Sequence, residues 1–110
     1  MFIYTIYDRK AEYCLPVFSQ RSNAEAERQF TQLVVASDTQ MSQYPGDFDL
    51  VCIAAMDVQS GKVNALEVPR TVTNGLTCLV NSRSERQRYK SALEQPEQMD
   101  IEEITGSDAS

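Results

Sequence analysis

The sequence has no histidine, no tryptophan and only three cysteines, and it lacks any apolar run approaching the roughly 18 residues of a membrane-spanning helix. Without histidine it lacks the side chain that titrates nearest neutrality and the commonest metal ligand. Histidine-based triads, zincin motifs and mixed Cys/His zinc sites are therefore excluded. Cys14, Cys52 and Cys78 are odd in number and form no Cys-x-x-Cys pair, so they read as small buried hydrophobes in a reducing compartment, without a disulfide framework or metal site. The N-terminal stretch has no basic start, and its apolar run is too short for a signal peptide, so a cytosolic protein is expected. Gly61-Lys62 lacks the upstream glycine and following hydroxyl residue of a phosphate loop and reads as a turn. No activated nucleophile or paired-acid motif stands out, so no catalytic residue, cofactor or metal is expected and an enzyme is the least favoured class. With 110 residues, the chain is long enough for one core but short for a deep cleft between two lobes.

What is present reads as alternating strands and helices. Residues 2–7 are rich in aromatic and β-branched types and stop at Asp8-Arg9-Lys10, which suits a strand and a turn. Residues 12–18 alternate again, but Pro16 cannot donate a ladder hydrogen bond, so this strand belongs at an edge or contains a bulge. Ser22-Asn23-Ala24-Glu25 has the spacing of a reciprocal capping box, and Ala26, Phe30, Leu33, Val34 and Ser37 recur behind it as one helical core face. Residues 38–40 and 44–47 end this helix in a loop. Residues 48–57 are apolar on both alternating faces and belong at the sheet centre, and residues 63–68 return through a turn at 59–62 and stop at Pro69. Residues 70–80, interrupted by Asn74-Gly75, either add a final strand or cover an edge. Ser82-Arg83-Ser84-Glu85 repeats the capping-box spacing and opens a second helix that Pro96 should end near Gln95.

The expected fold class is α+β: a small, mainly antiparallel sheet in ββαββ order with one helix packed on it, plus a C-terminal helix and an acidic tail. The corresponding divisions are a core at 1–81, a basic amphipathic helix at 82–95 and a flexible tail at 96–110.

The charge is unevenly placed. Residues 1–93 carry all ten basic side chains and ten acidic ones, whereas the last seventeen carry six acids and no base, so the formal net charge of -6 belongs to the tail. Immediately before it lies the densest basic cluster, Arg83, Arg86, Arg88 and Lys90, with Tyr89 among them. At about 100° per residue Arg83, Arg86 and Lys90 share one helix face, with Tyr89, Ala92 and Leu93 on a neighbouring stripe. Such a surface suits phosphates and a stacked base, and it equally suits a solvated helix whose Tyr89 and Leu93 rest on the sheet. Asp47 and Asp49 flank Phe48, but two carboxylates make a poor metal site and read as a loop and strand start. Tyr4, Tyr7 and Tyr13 read as core packing with surface hydroxyls in preference to a base-stacking platform.

Residues 3–11 (Ile-Tyr-Thr-Ile-Tyr-Asp-Arg-Lys-Ala) with Tyr13, the Pro16-Val17-Phe18 segment, the helix at 26–33, Tyr44-Pro45-Gly46-Asp47-Phe48-Asp49-Leu50 and Gly61-Lys62 together resemble the small nonstructural protein of gokushovirus-type single-stranded DNA phages, family Microviridae. The resemblance covers roughly residues 1–70 and includes no catalytic motif. It implies a protein made in the cytoplasm of the infected bacterium, absent from the capsid, which binds DNA or acts in viral DNA replication, with the switch to single-strand synthesis as one such role. It brings no residue-level site.

Charge supplies one. The expected nucleic-acid contacts are Arg83, Arg86, Arg88, Tyr89 and Lys90, joined by Arg9, Lys10 and Arg21, with single-stranded DNA as partner. The acidic tail is expected to occupy the basic face until DNA or a partner displaces it. The competing class is an adaptor without DNA affinity that recruits a viral or host replication protein or pairs with a second copy through the 12–18 edge.

Overall fold

The computed structural model describes residues 1–36 and 38–103, with side chains described as far as residue 94. The chain divides into two units, Met1–Val80 and Asn81–Ser110. The first is an α+β unit. Its five strands, β1 (Phe2–Asp8), β2 (Tyr13–Cys14), β3 (Phe18–Gln20), β4 (Phe48–Met56) and β5 (Val63–Asn74), form one antiparallel sheet. β1 and β4 are central, β5 lies beyond β4, and β2 and β3 share the other side of β1. Helix α1 (Asn23–Val35) packs on one face, and a short α2 (Gln40–Gln43) with a 3₁₀ turn (Pro45–Asp47) connects it to β4.

The α1 start follows its sequence signature in part. The Ser22 hydroxyl accepts from the Glu25 backbone N–H at 3.2 Å, but the Glu25 carboxylate does not complete the box: it pairs with Arg21 Nε at 3.3 Å. Ala26, Phe30 and Val34 are fully buried and Leu33 is partly so; Ser37 lies outside the described residues. They meet Tyr4, Ile6, Phe48, Leu50 and Cys52 from the two central strands. The face is narrow but dense, and burying a side chain such as Phe30 contributes roughly 2–3 kcal/mol. Beyond α1, Thr39 Oγ1 donates to the Leu33 carbonyl at 2.8 Å and accepts from Ser42 N–H at 3.0 Å, so the expected loop contains the cap of α2.

At the other end of β1, the buried Asp8 carboxylate accepts from the backbone N–H groups of Lys10 and Ala11 at 3.0 and 3.1 Å. The turn closes with Glu12 at φ 61°, a left-handed conformation that costs a side-chain-bearing residue about 1 kcal/mol. The second expected strand is two pieces. Leu15 N–H still donates to the Ile6 carbonyl at 2.8 Å, and the chain leaves the ladder at Pro16 and Val17 before β3 begins.

β5 departs further from expectation, because it passes through Pro69 and reaches Asn74. The register explains how. Cys52 pairs with Arg70 and Ala54 with Ala65, so residues 66–69 bulge opposite Ile53 on an outer strand, where the missing proline N–H costs no ladder bond. Between β4 and β5, Asp57 accepts from the Gln59 and Ser60 backbones, which lowers its carboxyl pKa, and Gly61 takes φ 78°.

Helix α3 (Gly75–Glu103) starts earlier and ends later than the sequence suggests. Its start is fixed by Asn74, whose Oδ1 accepts from Leu76 N–H at 2.8 Å. The 82–85 spacing therefore falls inside a helix whose N–H groups already have partners in the preceding turn. Helix also continues past Pro96; proline penalises the helical state of its neighbour without forbidding it. The expected acidic tail falls on residues whose side chains, and from 104 onward whose backbone, lie outside the described residues.

Candidate functional site

The basic cluster lies in the second unit. Every residue from Arg83 to Glu94 is exposed, Tyr89 and Leu93 at 65% and 74%. Neither rests in a core. None of Arg83, Arg86, Arg88 and Lys90 forms an ion pair among the described residues, although Glu85 and Glu94 share the helix. Arg83 and Arg86 are three apart, Arg86 and Lys90 four apart, spacings at which like charges repel by a few tenths of a kcal/mol. Residues 83–90 span about 10 Å of helix axis, the length of roughly three phosphate steps along one strand of a duplex. Arg88 lies on the other side of the helix from the Arg83, Arg86 and Lys90 face.

The basic residues expected to join this cluster are in the first unit, and two of the three are already engaged. Arg9 Nε pairs with Asp49 Oδ2 at 3.2 Å and its Nη2 donates to the Gly46 carbonyl, so its charge helps close the β1–β4 end of the sheet. Arg21 pairs with Glu25. Lys10 is exposed and lines a cavity of about 280 Å³ with Tyr44, Gln40 and Asp47.

Two other candidate groups resolve into structure. Asp49 is shared by Arg9 and by Asn74, which donates to it at 2.8 Å, and Asp47 ends the 3₁₀ turn; among the described residues no three metal-ligating side chains converge. The tyrosines do not share a platform. Tyr4 is fully buried, stacks on Phe18 at 5.7 Å and donates its hydroxyl to Asn23 Oδ1 at 2.7 Å, and burial, with the nearby Cys52, raises its pKa. Tyr7, its neighbour but two, is half-buried on the opposite side of the strand, and Tyr13 is 53% exposed at the edge.

Sequence reasoning missed two groups. Asn74 donates to the carbonyls of Gly46 and Phe48 at 3.1 and 3.2 Å as well as to Asp49. Arg70, opposite Cys52, lines a second cavity with Phe2 and Leu66. Neither has a local signature, because their partners come from distant segments; the one hint was the polar Asn-Gly pair inside a run of strand formers.

Fold and surface together define a small α+β protein with an exposed basic helix. Compared with known proteins, residues 1–78 match the family described as Phage ORF5 protein, which is most of the chain. The chain belongs to this family of phage proteins. No curated protein and no solved structure matches it. Among the described residues no helix is long and apolar enough to cross a membrane.

Proposed function

We propose that this phage protein is a non-enzymatic module that binds single-stranded DNA and assists viral DNA replication in the cytoplasm of the infected host, outside the capsid, in phages of the Microviridae type. One observation carries the reading: four cations that form no ion pair among the described residues and an exposed tyrosine lie within eight residues of helix. Unpaired guanidinium and ammonium groups gain charge-assisted bonds from phosphate oxygens, and a base gains stacking on the Tyr89 ring. Arg9 and Arg21 are secondary contributors because each shares its charge with a carboxylate, whereas Lys10 forms no ion pair among the described residues. The acidic residues from 94 onward compete with DNA for the basic face. A viral or host replication protein, or a second copy, is the alternative partner.

The test is fluorescence anisotropy of a labelled oligonucleotide across salt concentrations. Four phosphate contacts predict a log–log salt slope near roughly -3. Replacing Arg83, Arg86, Arg88 and Lys90 by alanine should remove most of that slope, and removing residues 97–110 should tighten binding. No binding at low salt, or affinity indifferent to the four substitutions, overturns the reading in favour of the adaptor.

A further inference from the structure

The first unit contains a cavity that none of this uses. It measures about 220 Å³ and lies where the start of α1 meets β1, β4 and the β5 bulge. Phe2, Leu66 and the buried Cys52 give it apolar walls, and Arg21 and Arg70 bring guanidinium groups to it. The two cations are unequal. Arg21 is neutralised by Glu25, whereas Arg70 forms no ion pair and no side-chain hydrogen bond among the described residues. Arg70 is therefore the net charge of the site. It owes its position to the bulge, which restores pairing at Arg70 opposite Cys52 and brings Leu66 against the core.

Asn23 adds a directed donor. Its Oδ1 is occupied by the Tyr4 hydroxyl, which leaves the amide N–H₂ for a ligand acceptor. Apolar walls, one uncompensated guanidinium and one amide donor suit a ligand that joins a flat ring to an anionic group. The volume falls below the roughly 300–1,000 Å³ of cavities that enclose drug-sized molecules, so a ligand here is held by one part and leaves the rest in solvent.

We propose that this cavity takes a single nucleotide of a DNA strand, with the base against Phe2 and Leu66, an acceptor of the base on the Asn23 amide and the phosphate on Arg70. The inference rests on the DNA-binding reading above and names a second contact, on the sheet unit, with Arg70 and Phe2 as its determinants.

The probe is thymidine 5′-monophosphate, titrated into the isotope-labelled full chain and followed by amide NMR shifts, with thymidine and inorganic phosphate as separate arms. Saturable shifts at Phe2, Asn23, Leu66 and Arg70 are expected at millimolar ligand. Arg70→Ala should weaken them by roughly tenfold, as loss of a charge-assisted contact does. Both Arg70 and Phe2 are exposed enough that Arg70→Ala and Phe2→Leu leave the core intact, which an unchanged spectrum elsewhere verifies. The chain with Arg83, Arg86, Arg88 and Lys90 replaced should keep these shifts while losing oligonucleotide affinity. Absence of the shifts, indifference to Arg70→Ala, or equal shifts with phosphate alone overturns the cavity assignment even if the oligonucleotide binds. Shifts that depend on Arg70 in a protein with no oligonucleotide affinity make the cavity a site for a free mononucleotide, and overturn both its assignment to a DNA strand and the DNA-binding reading.

Discussion

Replacing Asn74 with alanine should be among the most damaging polar substitutions in the first unit. Its amide donates to two carbonyls and the Asp49 carboxylate, at 3.1, 3.2 and 2.8 Å, and its oxygen caps α3 at Leu76 N–H, 2.8 Å away. Loss of the cap costs about 1 kcal/mol. Loss of the bond to a charged, mostly buried carboxylate costs about as much again, less than the usual 1.5–3 because Arg9 still pairs with Asp49. With the two carbonyls counted lightly, since one N–H₂ serves three acceptors, the total is roughly 2–3 kcal/mol. In a chain of 110 residues this lowers Tm by about 8–20 °C. Thermal unfolding by circular dichroism, with the urea m-value as a check that the unfolded state is unchanged, measures it. Asn74→Asp separates the two roles, because it keeps the cap acceptor, removes the donors and sets a second carboxylate against Asp49. It should be no more stable than the alanine variant at neutral pH and should recover part of the loss in acid. A Tm shift under about 3 °C for Asn74→Ala, or wild-type stability for Asn74→Asp, would refute the bridging role.

Three further outcomes follow from buried groups. A methyl at Gly75 would collide with the Pro45 carbonyl oxygen and stand 3.1 Å from its carbon, so Gly75→Ala should destabilise by about 1–3 kcal/mol in the same melts, despite alanine's better helix propensity. The folded protein holds the Tyr4 proton above the ordinary value of 10.0, so its contribution to stability is full below that value and falls as pH rises through the folded pKa. Tyr4→Phe should flatten this alkaline slope in pH-dependent urea melts and cost about 1 kcal/mol at neutral pH for the lost Asn23 bond. Of the three free thiols Cys14 is exposed and Cys52 and Cys78 are buried, so a thiol reagent should titrate one group rapidly in the native chain and all three after denaturation.

Local signals carried most of the fold. The β-branched run of β1, the cap and spacing of α1 and the two-faced apolar run of β4 each report on residues within one element, and each element stands where it was expected. Most of the errors share one cause: the deciding partner is remote. Pro69 reads as a stop unless the bulge opposite Ile53 is known. Asn74-Gly75 reads as an interruption, whereas it is a junction held by Gly46, Phe48 and Asp49 and fitted to Pro45. Cys14 was expected inside, but its strand has only two residues at the sheet edge. The candidate site divides in the same way. The density of charge at 83–90 is visible in the linear order, whereas the ion pair that engages Arg9 and the cavity beside Arg70 exist only once distant strands are aligned.

The bulge in β5 also bears on how the protein behaves when crowded. An uninterrupted outer strand of twelve residues would offer a long template to the strand of another molecule, and Val63 and Val68 are exposed along it. Residues 66–69 divide that template into two short stretches, with a proline between them that has no N–H to share. Copies brought close together would thus meet an edge ill suited to fusing into a continuous sheet, the arrangement from which fibrils grow.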